Sequence, residues 1–298
     1  SGCHVGPGAG ALVASKLAGT RQLFDVVTGQ VPMPIPSPVQ SMRPARETCE
    51  QCHWSEKFHG DKVRMIRDYG NDEANTESVT TLQVHVGGGS RALGVGTGIH
   101  WHMNLDNQIE YVATDATRQT IPYVRFTDQR GRVREYVVEG TTEEELTGGE
   151  RRRMDCLDCH NRPAHTFYAS PERAVDAAIA QGRIPRELPF VRREAVASVG
   201  AEYGDRTAAL DGIARHLEEF YAAQEGDADG QLVARAVAAA QDVWSRNVFP
   251  AMNVTWGTYP NHLGHLDAPG CFRCHDDEHK AADGSVIRQD CELCHSFQ

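Results

Sequence analysis

Long apolar runs and positive charge are what this 298-residue chain has least of. It contains no stretch of 18 uninterrupted apolar residues, so we expect no segment to span a bilayer as a helix. Lysine and arginine number 30 against 41 aspartates and glutamates, which gives a formal net charge of −11. This deficit of positive charge argues against nucleic acid or an anionic membrane surface as a partner, and it suits a basic partner.

The N-terminus lacks the pattern of a secretory signal peptide. The chain opens with Ser1-Gly2-Cys3-His4, which we expect to be a cut end and not a natural start. A composition of 40% hydrophobic and 24% charged residues is ordinary for a soluble protein. The length suffices for one large domain or two small ones.

Cysteine is the informative residue type. Eight of the nine cysteines form four pairs with two residues between them, and a histidine follows each pair directly. These motifs are Cys49/Cys52/His53, Cys156/Cys159/His160, Cys271/Cys274/His275 and Cys291/Cys294/His295. The composition alone predicts roughly 0.01 occurrences of this five-residue pattern, which is typical of c-type haem attachment.

The spacing suits the chemistry of haem. Two thiols three positions apart can each add to one of the vinyl groups on one edge of the macrocycle. The next residue then lies under the iron and offers an imidazole as the proximal ligand. Covalent attachment lets a short peptide hold a large apolar cofactor, so haems can be packed densely.

Three other interpretations of the pairs remain. Disulfides would suit a secreted scaffold but do not explain four histidines in the same place. A zinc ribbon fits the 16 residues between Cys274 and Cys291, whereas the pairs at 49/52 and 156/159 have no second pair nearby. A thioredoxin-like dithiol is disfavoured by the presence of four copies.

The chain start resembles a broken fifth motif. A cysteine before Ser1 would complete it, and Cys3 and His4 would then hold a further haem. The alternative is a stray surface cysteine and histidine, although a lone thiol is unfavourable in an oxidising compartment. We therefore expect four to five c-type haems, with five preferred.

The remaining nine histidines are a supply of second axial ligands. A haem that only transfers electrons needs a strong distal ligand, which keeps the iron low-spin and closes it to substrate. Candidates by position are His59, His165 and His279 after their motifs, His262 and His265 before the third motif, and His100 and His102 around Trp101. On a strand, His100 and His102 would share one face.

His85 and His216 are weaker candidates, and His216 lies in a helical pattern that favours a surface or packing role. Of the methionines, Met33, Met42 and Met103 could serve as thioether ligands, although a lone methionine is more often filler.

The hydrophobic pattern predicts a mainly α protein with a small inserted antiparallel β unit and much loop organised by haem. Helices are expected at 8–29, 171–181, 191–202, 205–224 and 230–247, and strands at 80–86, 109–114, 121–126 and 133–138. A proline-rich segment at 31–38 should be extended. The predicted division is an N-terminal haem segment 1–78, a β insertion 79–150, and a helical segment 151–298 that ends in a haem pair.

The haem motifs and their surroundings resemble the NapC/NirT family of multihaem cytochromes c. The likeness rests on Cys3 to Gly10, Arg43 to Trp54, Cys156 to Phe167, and Asn261 to His295. It implies export, haem attachment outside the cytoplasm, and passage of electrons from the quinol pool toward periplasmic or extracellular acceptors. The β unit is the part of the chain in which the resemblance is least distinctive. The broken motif at Cys3 and His4 lacks its leading cysteine.

Two functions follow from these observations. The first is an electron relay through low-spin haems, as an extracytoplasmic (periplasmic, membrane-associated or extracellular) shuttle, complex subunit or filament unit. Its partners would be redox proteins, a membrane quinol-oxidising complex, or further copies of the chain that place haems end to end. The alternative is an enzyme, either a quinol dehydrogenase or a haem-based reductase, with one open iron site. A third interpretation is a structural or sensor protein that uses haem as a staple.

Overall fold

The computed structural model describes residues 8–37, 45, 49, 53, 60–88, 98–104, 107–162, 166–224 and 228–297. About 39% of the described residues are helical, and two small sheets accompany the helices. Within these ranges, no helix combines the length and the apolar character that a bilayer crossing requires.

The described helices, in chain order, are α1 Ala9–Val27, α2 Glu143–Gly148, α3 Cys156–Cys159, α4 Pro171–Ala180, α5 Val191–Gly200, α6 Arg206–Ala222 and α7 Gly230–Asn247. The strands are β1 Lys62–Tyr69, β2 Glu77–Val84, β3 Gln108–Ala113, β4 Tyr123–Thr127, β5 Val133–Val138, β6 Glu150–Arg153, β7 His279–Lys280 and β8 His295–Phe297. Short 3₁₀ segments lie at Ile99–Met103, Pro250–Met252, Gly270–Arg273 and Cys291–Leu293.

The chain folds into two compact units. The first comprises residues 1–63, 83–163 and 261–296, and the second comprises 64–82, 164–260 and 297–298. These units are bounded differently from the predicted segments, because residues 261–296 belong to the same unit as residues 83–163, which hold strands β3 to β6.

A five-stranded antiparallel sheet forms the centre of the first unit, with strand order β6-β3-β4-β5-β7. Ile109 pairs with Phe126 and Tyr111 with Val124 across β3 and β4. Alternation along β3 turns Ile109 and Tyr111 to a buried cluster that also holds Ile121. The predicted strands at 109–114, 121–126 and 133–138 are confirmed, while β6 and β7 were not predicted.

Helices dominate the second unit, and all four match predicted ranges. Ser170 caps α4 with Pro171 at the first helical position, while Asp205 and Asp229 cap α6 and α7. Their apolar faces meet in one core, whose largest buried side chains include Trp244 and Leu217. Most of the stability of this unit follows from that burial.

The β1–β2 hairpin of the second unit is pinned by one asparagine. Asn75 is buried in a left-handed conformation with φ 49°. Its side-chain amide donates to the carbonyls of Arg186 and Leu188, at 3.0 and 2.8 Å, and its oxygen accepts from the Arg192 N–H. The hairpin turn is thereby fixed to the loop before α5.

Helix α1 confirms the predicted helix at 8–29. Its apolar side chains, including Leu17, Phe24 and Val27, are exposed. The helical spacing seen in the sequence is therefore real, although these side chains do not enter a described core.

Candidate haem-binding site

Three of the haem motifs close on themselves through a backbone hydrogen bond from the histidine to the first cysteine. The N–H of His53 donates to Cys49 O at 2.8 Å, that of His160 to Cys156 O at 2.8 Å, and that of His275 to Cys271 O at 3.0 Å. This helical turn brings the two cysteines and the histidine of a motif to one side of the backbone. The local fold is the one that attachment to a single macrocycle requires.

The second motif has the most elaborate local support. Asp155 caps α3 by accepting from Leu157 N, and its own N–H donates to Asp158 Oδ2 at 2.7 Å. This reciprocal capping satisfies two orphan donors at the helix start. The turn that carries Cys156, Cys159 and His160 is therefore specified by the two aspartates around it.

Several predicted site residues lie outside the described residues. These are Cys3, His4, Cys52, His59 and His165. Of the first complete motif, Cys49 and His53 are described, so the geometry below concerns the motifs at 156–160, 271–275 and 291–295.

The described cysteines are not paired with one another. All seven are free of disulfides. Burial raises the pKa of Cys159 and of Cys274 to about 12. Zinc needs thiolates, and no group of three or more histidine, cysteine, aspartate or glutamate side chains suited to a metal ion occurs in the described part of the chain.

Three motif histidines each face a histidine from outside the motifs. Ring centroids are 6.4 Å apart for His160 and His100, 5.8 Å for His275 and His102, and 6.0 Å for His295 and His265. The sequence separations are long, which means that the tertiary fold creates these pairs. The predicted candidates His100, His102 and His265 are thus brought to motif histidines.

The separations are those that one metal ion between two imidazoles would require. A metal–imidazole bond of about 2 Å on each side places the two ring centroids about 6 Å apart. Aromatic contacts span a similar range, so distance alone does not decide. The composition of the pairs does decide, since each pair joins one motif histidine with one non-motif histidine. The residues present therefore fit haems held by two axial imidazoles.

Hydrogen bonds orient two of these rings. His102 Nδ1 donates to the carbonyl of Ile99 at 2.7 Å, and His275 Nδ1 donates to the carbonyl of Arg288 at 2.9 Å. A ring whose Nδ1 carries the proton keeps its lone pair on Nε2, the usual arrangement for a metal-bound histidine. Both members of this pair thus present Nε2.

The electrostatics favour the neutral, ligating form of three site histidines. Burial lowers the pKa of His100, of His102 and of His160. The nearby partner imidazole lowers it further for His100 and His102. A neutral ring is the form that binds iron.

His100 and His102 lie on the 3₁₀ segment Ile99–Met103, which we call the histidine turn. The expectation that a strand would place them on one face is wrong. A 3₁₀ turn advances by a third of a revolution per residue, so residues two apart face different directions. Trp101, between them, packs on Phe126 with centroids 5.2 Å apart.

The prediction that His279 is a distal ligand is corrected by its surroundings. Its ring is buried, with Nδ1 2.9 Å from the Asp276 carboxylate and Nε2 2.7 Å from the Ile121 carbonyl. Both nitrogens therefore face oxygen acceptors within the protein. The side chain ties the loop after His275 to the end of the sheet, and both of its nitrogens are engaged there.

The structure also describes the candidates His262, His85 and His216. His262 is buried and contacts the Asp158 carbonyl through Nδ1 at 3.1 Å, and it is not paired with a motif histidine. His85 contacts Asp61 at 3.1 Å. His216 pairs with Glu194 at 2.9 Å on α6, which confirms its predicted surface or packing role.

A buried polar network behind the second and third motifs was not predicted from the sequence. Asp158 accepts from Tyr111 Oη at 2.5 Å and from Arg152 at 3.3 Å, and Arg118 lies 3.8 Å away. Arg273, inside the third motif, donates to the carbonyls of Asp158 and Arg118 at 2.8 and 2.9 Å. A charged residue between two motif cysteines was the signal available in the sequence.

Comparison with known proteins gives one informative relative. The chain is 42% identical over 300 aligned residues to the cytochrome c-type protein ImcH of Geobacter sulfurreducens, which covers 99% of this chain and 58% of that relative. The chain thus spans less than two thirds of the length of the relative it matches. No family model matches the chain, and no solved structure does. The chain, with its four Cys-x-x-Cys-His motifs, is thus similar over almost its whole length to a cytochrome c-type protein.

Proposed function

We propose that the chain is an extracytoplasmic electron relay that carries five low-spin c-type haems, of the NapC/NirT type that its motifs resemble. The observation that carries this proposal is the placement of a non-motif histidine 5.8–6.4 Å from each of three motif histidines. When bound there, haem supplies the one-electron Fe(III)/Fe(II) couple. The motif cysteines and histidines would hold it, and the facing non-motif histidines would supply the second ligand.

Two axial imidazoles suit transport and not catalysis. Substrate chemistry at haem needs an open or exchangeable distal position. His100, His102 and His265 would occupy that position for three haems, and His102 is oriented by the hydrogen bond that its Nδ1 donates to the Ile99 carbonyl.

The motifs lie close enough to one another for a relay. Arg273 of the third motif donates to the carbonyl of Asp158 in the second motif at 2.8 Å. His265 stacks on Phe272 of the third motif with ring centroids 4.3 Å apart, and its ring centroid lies 6.0 Å from that of His295 in the fourth motif. Cysteines of the second, third and fourth motifs thus come together in one unit. These cysteines would hold three haems within one unit, and electrons could then pass between the haems without leaving the protein.

Electrons enter and leave through partners of complementary charge. The net charge of −11 favours a basic surface on a soluble redox partner. By its resemblance to the NapC/NirT family, the chain would accept electrons from a membrane quinol-oxidising complex and pass them outward. Association of further copies end to end would extend the same relay.

Spectroscopy of the haem-loaded protein tests this proposal. We expect ferric electron paramagnetic resonance to show only low-spin signals, and the reduced protein to bind no carbon monoxide rapidly. Intact mass should show five haems. A high-spin signal together with carbon monoxide binding would instead favour the enzymatic alternative with one open iron, and a mass for four haems would remove the contribution of Cys3 and His4.

A further inference from the structure

We propose that the histidine turn supplies the distal ligands of two haems at once. His100 completes the haem attached at Cys156 and Cys159, and His102 completes the haem attached at Cys271 and Cys274. One five-residue turn would thereby hold two haems as a directly exchanging pair. This inference rests on the proposed function and specifies its first exchange step.

The geometry of the turn explains how it can serve two irons. In a 3₁₀ turn each residue is rotated by about 120° from the residue before it and rises about 2 Å. Side chains two residues apart are therefore rotated by about 240° about the axis, so they point to different sides of the turn. His100 accordingly reaches His160 with a 17° angle between the rings, while His102 reaches His275. A strand would have sent both rings to the same side.

Backbone and side-chain contacts hold the turn in place. The N–H groups of Ile99 and His100 donate to the carbonyls of His85 and Val86, at 2.8 and 2.9 Å. Asn107 Nδ2 donates to the Trp101 carbonyl at 2.8 Å. Gly98, with φ 74°, allows the close approach to the backbone of Gly87 that a side chain would block. Both imidazoles are therefore presented from one rigid support.

The two motifs that carry the proximal histidines are also joined to each other. Arg273, the residue before Cys274, is buried and donates to the carbonyl of Asp158, the residue before Cys159. It donates also to Arg118 O and to Gly270 O. One guanidinium thus links the second and third motifs, so the two proximal histidines keep a fixed relation to each other.

The two irons are then close neighbours. Cα atoms two residues apart are separated by at most about 7 Å, which with two histidine side chains places the irons within roughly 20 Å of each other. In the exchange step one iron goes from Fe(II) to Fe(III) and the other from Fe(III) to Fe(II). No bond forms or breaks, and no further reactant is needed.

The test uses His100→Ala and His102→Ala in the haem-loaded protein. Each variant should create one high-spin haem and bind one carbon monoxide per chain, and the double variant should bind two. His216→Ala is the matched control, because this half-buried histidine of α6 pairs with Glu194 of α5, and it should bind none. If alanine variants lose haem, His100→Met and His102→Met should keep it and show the near-infrared band of methionine-bound ferric iron.

A second set of variants tests the pairing itself. In Cys156→Ala/Cys159→Ala protein, which cannot attach the second haem, His100→Ala should add no carbon monoxide binding, whereas His102→Ala should still add one site. The reverse is expected in Cys271→Ala/Cys274→Ala protein. These crossed variants distinguish the assigned pairs from the opposite arrangement.

The outcomes separate this inference from the relay proposal. A wild-type protein with high-spin haem would contradict the relay. A fully low-spin wild type whose His100→Ala or His102→Ala variant stays low-spin would overturn the role of the turn and leave the relay standing. The same carbon monoxide stoichiometry in both crossed backgrounds would overturn the pairing.

Discussion

Asp158, at a variable position of the second haem motif, makes an unusual number of polar contacts. Its carboxylate is almost wholly buried, within reach of Tyr111, Arg118 and Arg152. A buried carboxylate is tolerated only when charges and donors surround it. The aspartate in Cys-Leu-Asp-Cys-His therefore anchors the second motif to the sheet, besides capping the short helix that carries it.

Removal of one donor from this carboxylate should be costly. Tyr111→Phe leaves a buried acceptor short of a charge-assisted hydrogen bond, so we expect the free energy of unfolding to fall by about 2 kcal/mol. Tyr123→Phe is the control, because its hydroxyl bonds Glu135 at 2.6 Å and Glu135 is exposed to water. Equal losses for the two variants in denaturant titrations would contradict this account.

His262 should make stability depend on pH. Burial, and then the charge of Arg273, lowers the pKa of His262 from its ordinary 6.5 to about 4. The unfolded chain therefore takes up this proton first as the pH falls, and the contribution present above pH 6.5 is lost as the pH approaches about 4. The expected loss from this group is about 3 kcal/mol at pH 4.

Denaturation at pH 4, 5, 6 and 7 measures that loss. His262→Gln keeps a polar side chain that does not titrate, so its unfolding free energy should vary less across the same interval. A wild-type profile no steeper than that of the variant would show that His262 is not the responsible group.

At the scale of elements, Gly270 is the tightest point of the haem segment. It has φ 51°, and a Cβ there would collide with the carbonyl of Gly264. Gly270→Ala should therefore destabilise the turn by more than 3 kcal/mol and reduce haem attachment at Cys271. Gly284→Ala is matched in φ, at 82°, but its Cβ meets open space, so it should lose only about 1 kcal/mol.

Haem staining and denaturant titration of both variants check this prediction. If Gly284→Ala were as damaging as Gly270→Ala, positive φ alone would be the cause, and the close approach to Gly264 would carry no weight.

The helices of the second unit allow a simpler test of burial. Leu217 on α6 is fully buried, whereas Leu17 on α1 is 66% exposed. Leu217→Ala should lower the free energy of unfolding by about 2–5 kcal/mol, while Leu17→Ala should change it by less than about 0.5 kcal/mol. Similar losses, measured by urea unfolding, would mean that α1 is buried in solution.

Elements with strong local signals could be predicted from the sequence. Helices α4 to α7 begin and end within two residues of their predicted ranges, because caps such as Ser170 and Asp205 mark them. β6 was missed because Glu-Arg-Arg-Arg has no apolar alternation and is held by its pairing with β3. The histidine turn was misjudged because its form depends on contacts from residues far away in sequence.

The site residues likewise divide into those that the sequence identifies and those that depend on the fold. Cys-x-x-Cys-His identifies its proximal ligands from local chemistry alone. The distal partners depend on the fold, since His102 meets His275 across 173 positions of the chain. His279, which looked suitable by its distance from His275, is occupied by Asp276 and Ile121 instead.

At the scale of the whole molecule, the first unit combines a sheet with haem-bearing loops. The strands bring residues 83–163 and 261–296 into one body, and this joins motifs that are more than 100 positions apart. The sheet thus supplies the stiffness that the loops lack. The account as a whole depends on two imidazoles, one motif and one non-motif, at each of three irons.

An experimental structure of the haem-loaded protein tests that claim most directly, through the identity of the axial ligands. We predict that one iron lies between the imidazoles of His160 and His100, a second between those of His275 and His102, and a third between those of His295 and His265. Water, or any other side chain, at the distal position of one of these irons would contradict the account.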